Sequence, residues 1–209
     1  MIKTFADKST KEFWDTGKSQ GMPPANLRSA AKKKLAMLHS AGRLEDLLIP
    51  PGNRLEELRR DREGQHSIRI NYQFRVCFVW RDGDCLRCRD NGLPLIFLQG
   101  EEIVGIKNAS AAGWAVHPGQ ILREEFLEPM GISAYRLAVE LHVSPPTVND
   151  IVREKRGITP EMAARLAKYF GTTEQFWLNL QDAFAVHQVR RKYSKELKAI
   201  RPLATAAVR

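Results

Sequence analysis

Long apolar runs are missing from this 209-residue sequence. No stretch approaches the roughly 18 uninterrupted apolar residues of a membrane-spanning helix. The opening MIKTFADKSTKEF also lacks the apolar core of about 7–15 residues that marks a secretory signal. Cysteine is scarce. Cys77, Cys85 and Cys88 are too few for a disulfide framework, so a reducing cytoplasm is expected. Cys85-x-x-Cys88 has zinc-type spacing, but there is no second pair, and His39 or His66 would have to complete a site. Free thiols are expected, with no metal and no cofactor. No internal repeat is visible. Hydrophobic residues make up 43% and charged residues 27%, which excludes a disordered tail.

Acid is in short supply relative to base: 24 Asp+Glu against 33 Lys+Arg, net +9. The excess is uneven. Residues 1–107 carry net +5, residues 108–186 net −2, and residues 187–209 net +6. A basic first half, a mildly acidic body and a basic tail suggest two different electrostatic roles, with nucleic acid as the natural partner class.

The first half predicts an α+β unit. Residues 5–16 read as a helix anchored by Phe5, Phe13 and Trp14, followed by a Gly/Pro-rich break at 17–24. Residues 25–41 place Leu27, Ala31, Leu35 and Leu38 at helical spacing, with Gly42 as a stop. Residues 43–53 read as loop. From His66 to Trp80 the even positions Ile68, Ile70, Tyr72, Phe74, Val76, Phe78 and Trp80 are apolar, and the odd ones include Arg69, Asn71, Gln73 and Arg75. That period of two is the mark of a half-buried hairpin, with its tip at Asn71-Tyr72-Gln73. Arg81-Asp82-Gly83-Asp84 reads as a turn. Either 93–98 or 103–106 can supply a later strand, and 108–116 (NASAAGWAV) reads as a linker.

The second half predicts about five helices. The first opens at Pro118, runs to about Leu127 and breaks at Pro129-Met130-Gly131. The next spans 134–142 with Ser133 as its cap. Ser144 caps a third, which carries Pro145 and Pro146 in its first turn. Thr159-Pro160-Glu161 opens a fourth that ends near Gly171. Thr172-x-x-Gln175 reads as the capping box of a fifth, over 173–193.

The pair joined at His142-Val143 fits a helix-turn-helix. Ala138 is the small residue a close crossing needs. Leu137 and Leu141 beside it face Val148, Ile151 and Val152. Pro145, Pro146, Thr147, Asn149, Asp150 and Arg153 are then left on the outer face of the second helix, and its cap Ser144 joins the DNA-binding set. In this motif the start of that helix meets the DNA major groove. Asn149 suits an adenine edge, Arg153 a guanine or a phosphate, and Thr147 a thymine methyl, while Lys155 and Arg156 suit backbone phosphates. His142 takes the turn position usually given to Gly, so it must accept a positive φ or the turn must differ.

Residues 117–181 resemble the HigA antitoxin family of the Cro/repressor helix-turn-helix type. The matching residues are His117-Pro118-Gly119-x-Ile121-Leu122, Glu128-Pro129-Met130-Gly131-Ile132-Ser133, Thr159-Pro160-Glu161-Met162-Ala163 and Phe176-Trp177-Leu178-Asn179-Leu180. The resemblance implies a homodimeric autorepressor that binds operator DNA in a bacterial cytoplasm, away from membranes, and that neutralises a toxin.

The stretch from Leu55 through Asp61-Arg62-x-Gly64-Gln65-His66-Ser67-Ile68-Arg69 to Phe78 resembles HigB, a branch of the RelE superfamily of ribosome-dependent mRNA endoribonucleases. The implied organisation is a toxin unit at 1–107, a linker at 108–116, an antitoxin unit at 117–193 and a basic tail at 194–209. A three-residue tip sets Arg69 directly opposite Arg75. Like charges so placed are destabilising unless an anion fits between them. Asp61 or Glu63 could be that anion. The resemblance implies instead an RNA phosphate held by Arg69 and Arg75, supported by Arg59 and its neighbours, with His66 placed for proton transfer and ribosome and mRNA as partners. These toxins typically end in an Asp-Tyr-His tail that completes the active site. No His or Tyr occurs here between Trp80 and Trp114. The alternative is therefore a catalytically silent unit that serves as a structural or ribosome-binding module beside a repressor.

Overall fold

The computed structural model describes residues 1–18, 23–81, 84–92 and 113–201. Among these, the first half forms helices α1 (Lys8–Thr16) and α2 (Arg28–Ser40). Its strands are β1 (Glu56–Glu57), β2 (Gln65–Arg69), β3 (Phe74–Arg81) and β4 (Asp84–Gly92), antiparallel in the order β1-β2-β3-β4. The helix expected from residue 5 starts at Lys8, because the Asp7 carboxylate takes the N-cap and accepts the Thr10 amide at 2.8 Å. Phe5 stays outside the helix and is still buried. The hairpin follows its alternation: Ile68, Val76 and Phe78 are buried on one face. Its tip closes where Ile70 N donates to the Phe74 carbonyl at 2.9 Å, while Asn71 Oδ1 accepts the amides of Gln73 and Phe74 at 2.9 and 2.8 Å. β4 has no apolar alternation to announce it. It pairs with β3 from Arg81↔Asp84 to Phe74↔Gly92 through backbone groups, with a register slip between Cys77 and Val79. The strands expected at 93–98 or 103–106, most of the linker and 202–209 lie outside the described residues.

The second half is helical. Helix α3 (Pro118–Ile121), a π-helical segment (Leu122–Leu127) and α4 (Glu128–Met130) run on continuously. The helix, expected to run to about Leu127, runs on to Met130, and the break expected at Pro129-Met130-Gly131 falls at its last residue. The amide of Glu128 reaches back five residues to the Arg123 carbonyl, and this wider turn carries the chain past the proline to Gly131, which ends the helix at φ 64°. Then follow α5 (Ala134–Glu140), α6 (Pro145–Val152), α7 (Pro160–Phe170), α8 (Glu174–Lys192) and α9 (Ser194–Ala199). The α8 cap is Thr173, not Thr172. Thr173 Oγ1 accepts the Phe176 amide at 3.2 Å, whereas Thr172 Oγ1 is occupied by the buried Trp177 indole N–H at 2.8 Å. The first part of the basic tail is α9, and its side chains are exposed.

Buried apolar residues from Ile2 to Leu180 form one contiguous core across the two halves. Polar bonds cross the same seam. Lys34 Nζ meets Glu125 at 2.6 Å, and Lys33 Nζ meets Glu124 at 2.6 Å. The fully buried Asp46 accepts both the amide and the hydroxyl of Thr173 at 2.8 Å, so a carboxylate from the first half caps the N-terminus of the 19-residue α8. Arg43 donates to the Gly171 carbonyl at 3.0 Å, Asn179 to the Ser40 carbonyl at 2.9 Å, and the Trp114 indole to the Phe13 carbonyl at 3.0 Å.

His39 lies beside Trp14 at this seam, on the wall of a cavity of about 250 Å³ that α8 closes from the other side. Its Nδ1 accepts the Ile2 amide at 3.3 Å. Burial, with the N-terminal ammonium and Lys3 adding to it, pushes its pKa down to about 4. The folded value lies below the unfolded one, so the stability linked to it is complete above about pH 6.5 and is lost as pH falls towards 4. His39→Gln is expected to flatten urea-measured stability between pH 7 and pH 4 by about 2 kcal/mol relative to wild type. An unchanged difference between the two pH values refutes this.

Candidate nucleic-acid interface

Helices α5 and α6 cross as a helix-turn-helix. Ser133 caps α5 by accepting the Arg136 amide at 3.1 Å. Leu137 and Ala138 bury completely against Val148 and Ile151. His142 does adopt the left-handed conformation, at φ 53°. Two bonds hold that turn from outside it: the Arg165 guanidinium of α7 donates to the Leu141 carbonyl at 2.6 Å and to the His142 carbonyl at 3.5 Å. The sequence gives no local sign of this role for Arg165.

The face of α6 turned away from the core carries the expected side chains. Ser144, Arg153, Lys155 and Arg156 are exposed, and Pro145, Thr147 and Asn149 are half-buried. Ser144 occupies the N-cap position, yet its hydroxyl does not cap a backbone amide. It meets the Thr147 hydroxyl at 2.9 Å: of the two amides a cap side chain normally serves, Pro146 has removed one, and that of Thr147 donates to the Ser144 carbonyl at 3.0 Å. After Val152 the chain turns sharply. Glu154 sits at φ 62°, and the amides of Lys155 and Arg156 both return to the Asp150 carbonyl, at 2.9 and 3.2 Å. The turn thus gathers Arg153, Lys155 and Arg156 at one end of the helix.

The outer end of α6 is set by a backbone-to-backbone approach. His117 caps α3 by accepting the Gly119 amide at 3.0 Å, and Pro118 follows at the first helical position. Gly119 then lies against α6: a Cβ built on it meets the Ile151 carbonyl oxygen at 1.8 Å. The His-Pro-Gly run is therefore a cap, a helix start and a point of contact that admits no side chain.

In the first half the register places Arg69 opposite Arg75, as the three-residue tip requires. Among the described residues neither shares an anion with the other. Arg75 donates to Ser67 Oγ at 2.8 Å, contacts the Arg54 carbonyl and pairs with Glu56 at 3.3 Å. Its carboxylate partner is thus Glu56, brought alongside by the short β1, and not Glu63; the side chain of Asp61 lies outside the described residues, as do those of Cys85 and Cys88. Arg69 turns towards the tip, donates to the Asn71 carbonyl at 3.2 Å and lies 4.2 Å from the centre of the exposed Tyr72 ring. Arg59 is exposed, just before a single 3₁₀ turn (Arg60–Arg62). His66 does not join them. Strand alternation puts it on the opposite sheet face, stacked on Phe78 at 6.0 Å, where its buried Nδ1 has no hydrogen-bond partner among the described residues.

Comparison with known proteins matches each half separately. Residues 3–89 fit the family of RelE-like toxins of the type II toxin–antitoxin system HigB, and residues 124–177 fit the helix-turn-helix family. Virulence-associated protein I of Dichelobacter nodosus is 52% identical over 93 residues, covering 44% of this chain and 85% of that protein. Toxin HigB-1 of Vibrio cholerae is 40% identical over 86 residues, 41% of this chain and 90% of the toxin. Antitoxin HigA-1 of the same organism is 39% identical over 88 residues, 42% of this chain and 83% of the antitoxin.

Proposed function

The chain belongs to the HigB-like toxin family in its first half and to the helix-turn-helix family of HigA-type antitoxins in its second, and from this we propose a toxin–antitoxin pair in one chain that represses transcription by binding operator DNA. The observation that carries the reading is the division of surfaces on the second half. Its described polar bonds to the toxin-like half leave from the π-helical segment, from Gly171 at the end of α7, from the start of α8 and from Asn179. The basic end of α6 remains exposed. Restraint of the toxin-like half and DNA reading thus use different faces and are compatible in one molecule. Two copies would place their α6 helices in successive major grooves, one helical turn apart.

The test is a mobility shift on the DNA upstream of the coding sequence. The double variant Asn149→Ala, Arg153→Ala is expected to bind at least tenfold more weakly, since each base-edge contact is worth about 1–3 kcal/mol. Equal binding by variant and wild type refutes the assignment of α6.

The tether keeps the toxin-like half at an effective concentration of about millimolar relative to its restraint. One reading of that half is a ribosome-dependent endoribonuclease using Arg69 and Arg75. A specific observation favours the other reading, a silent structural or ribosome-binding module: Arg75 is committed to Glu56 and Ser67, and His66 faces away from both arginines. Adding the full chain with its seam loosened (Lys33→Ala, Asp46→Ala) to a translation extract separates the two. Co-sedimentation with ribosomes without mRNA cleavage supports the silent module, and cleavage abolished by Arg69→Ala supports the enzyme.

A further inference from the structure

A chain of polar side chains runs from the toxin-like half to the far end of the DNA-reading helix. It starts at Lys33 on α2, which donates to Glu124 Oε2 at 2.6 Å and lies 3.3 Å from Glu125. The other oxygen of Glu124 accepts from Arg123 Nη2 at 2.9 Å. The same guanidinium reaches Glu154 at 3.3 Å and, through Nη1, donates to the carbonyl of Val152, the last residue of α6. Glu124 and Arg123 are adjacent, and both belong to the π-helical segment. Glu154 is the residue at φ 62° whose turn sets out Lys155 and Arg156.

The charges along this chain hold one another. Burial alone would lower the pKa of Lys33, but the bonds and charges of Glu124 and Glu125 together outweigh that and leave it raised. Burial alone would raise Glu124, but its bonds from Lys33 and Arg123 leave it lowered. The guanidinium is thus held by Glu124, itself bonded to a lysine of the toxin-like half, and by Glu154 and Glu128 at 3.3 and 3.9 Å, and in that position it satisfies a carbonyl at the C-terminus of α6. Lys33 and Glu124 touch no group expected to meet DNA.

We infer that Arg123 is a positioning residue for the phosphate-contacting end of α6, and that its position is set through Glu124 by Lys33, so that the toxin-like half tunes operator affinity from a surface that never touches the operator. The inference rests on the operator-binding reading above. Two sites and the bonds between them are specified; the quantity at issue is the coupling free energy that joins them.

The experiment measures operator affinity of the full chain by fluorescence anisotropy over a range of salt, well below the melting temperature. Lys33→Ala, Glu124→Gln and Arg123→Met are each expected to weaken binding three- to tenfold. They are also expected to lower the slope of log affinity against log salt by about 1, as Lys155 or Arg156 loses its phosphate. The double variant Lys33→Ala, Arg123→Met should be no weaker than Arg123→Met alone, because both break one chain. Lys33→Arg should restore binding to within twofold. A general loss of packing moves neither the salt slope nor the non-additivity. Asn149→Ala serves as the control. If it loses binding while Lys33→Ala and Glu124→Gln bind as wild type, the coupling is refuted and the operator reading stands. Strictly additive losses in the double variant refute it equally. If Asn149→Ala binds as wild type, the operator reading falls and the coupling with it.

Discussion

Gly119→Ala lowers the stability of the chain by about 3 kcal/mol or more and weakens operator binding by at least tenfold. The added methyl has no low-energy place to go. Its carbon meets the Ile151 carbonyl oxygen at 1.8 Å and the carbonyl carbon at 2.8 Å. Both are backbone atoms inside α6, so no rotamer change relieves the overlap. Inserting one methylene equivalent into a packed core typically costs about 1–3 kcal/mol, and a clash with backbone stands at or beyond the upper end of that range. The strain has two exits. Either α3 withdraws, breaking the His117 cap on the Gly119 amide, or α6 shifts bodily against α5. The second exit displaces Asn149 and Arg153 by the ångström or more that major-groove contacts do not tolerate. Urea denaturation and the operator mobility shift read the two consequences separately. A variant that keeps wild-type stability shows that α3 does not approach α6 as closely as the carbonyl distance requires.

Gly119 also shows where sequence reading stops. His117-Pro118-Gly119 is legible as a motif, and Pro118 as a helix start, but the contact that forbids a side chain lies with Ile151, 32 residues away. Period-two alternation from His66 to Trp80 locates the hairpin and sets Arg69 against Arg75, because register in a short-tipped hairpin follows from the tip. The anion beside Arg75 is not legible, since Glu56 reaches it only through β1, a strand of two residues with no pattern of its own. The same alternation that locates the hairpin sets His66 apart from the two arginines with which the resemblance groups it: position 66 shares a face with Phe78, and positions 69 and 75 lie on the other. The helix-turn-helix is legible because small-residue and apolar spacing within some 20 residues specifies it, and of the two outcomes the sequence leaves open at His142 the positive φ is the one adopted. The residues that hold it in place, Arg123 and Arg165, are not legible. Each acts on carbonyls more than 20 positions away, and a carbonyl leaves no mark in a sequence.

The buried pair at the seam sets the second large expectation. Glu125→Ala is expected to cost about 3–5 kcal/mol. The side chains of Lys34 and Glu125 are only 4% and 8% exposed. Removing the carboxylate leaves the Lys34 ammonium with the Asn53 side-chain oxygen at 2.8 Å as a neutral partner, and with the like charge of Lys33 nearby. Asn53 cannot swing to help further, because its own amide donates to the Leu47 carbonyl at 2.8 Å. Two mechanisms can produce a loss of this size, and pH separates them. A cavity costs the same at every pH. An unpaired buried ammonium does not. Burial already lowers the Lys34 pKa, with Glu125 opposing that effect, so its removal lowers the value further. With the folded value below the unfolded one, the associated stability is lost as pH falls and recovered as pH rises towards the unfolded value near 10. The deficit of Glu125→Ala should therefore be largest at neutral pH and shrink between pH 7 and pH 9.5 in urea titrations. Replacing both partners by apolar residues of similar size, Lys34→Met with Glu125→Leu, should return stability to within about 1–2 kcal/mol of wild type, because the desolvation of both charges is then avoided. A deficit that stays constant with pH, or a double variant as unstable as Glu125→Ala, shows that the two halves are joined here by packing and not by charge. The apolar double variant would then also leave the seam closed with Lys33 and Glu124 intact. It therefore tests whether docking itself needs the buried pair, or whether the pair serves to fix which surface of α2 meets the π-helical segment.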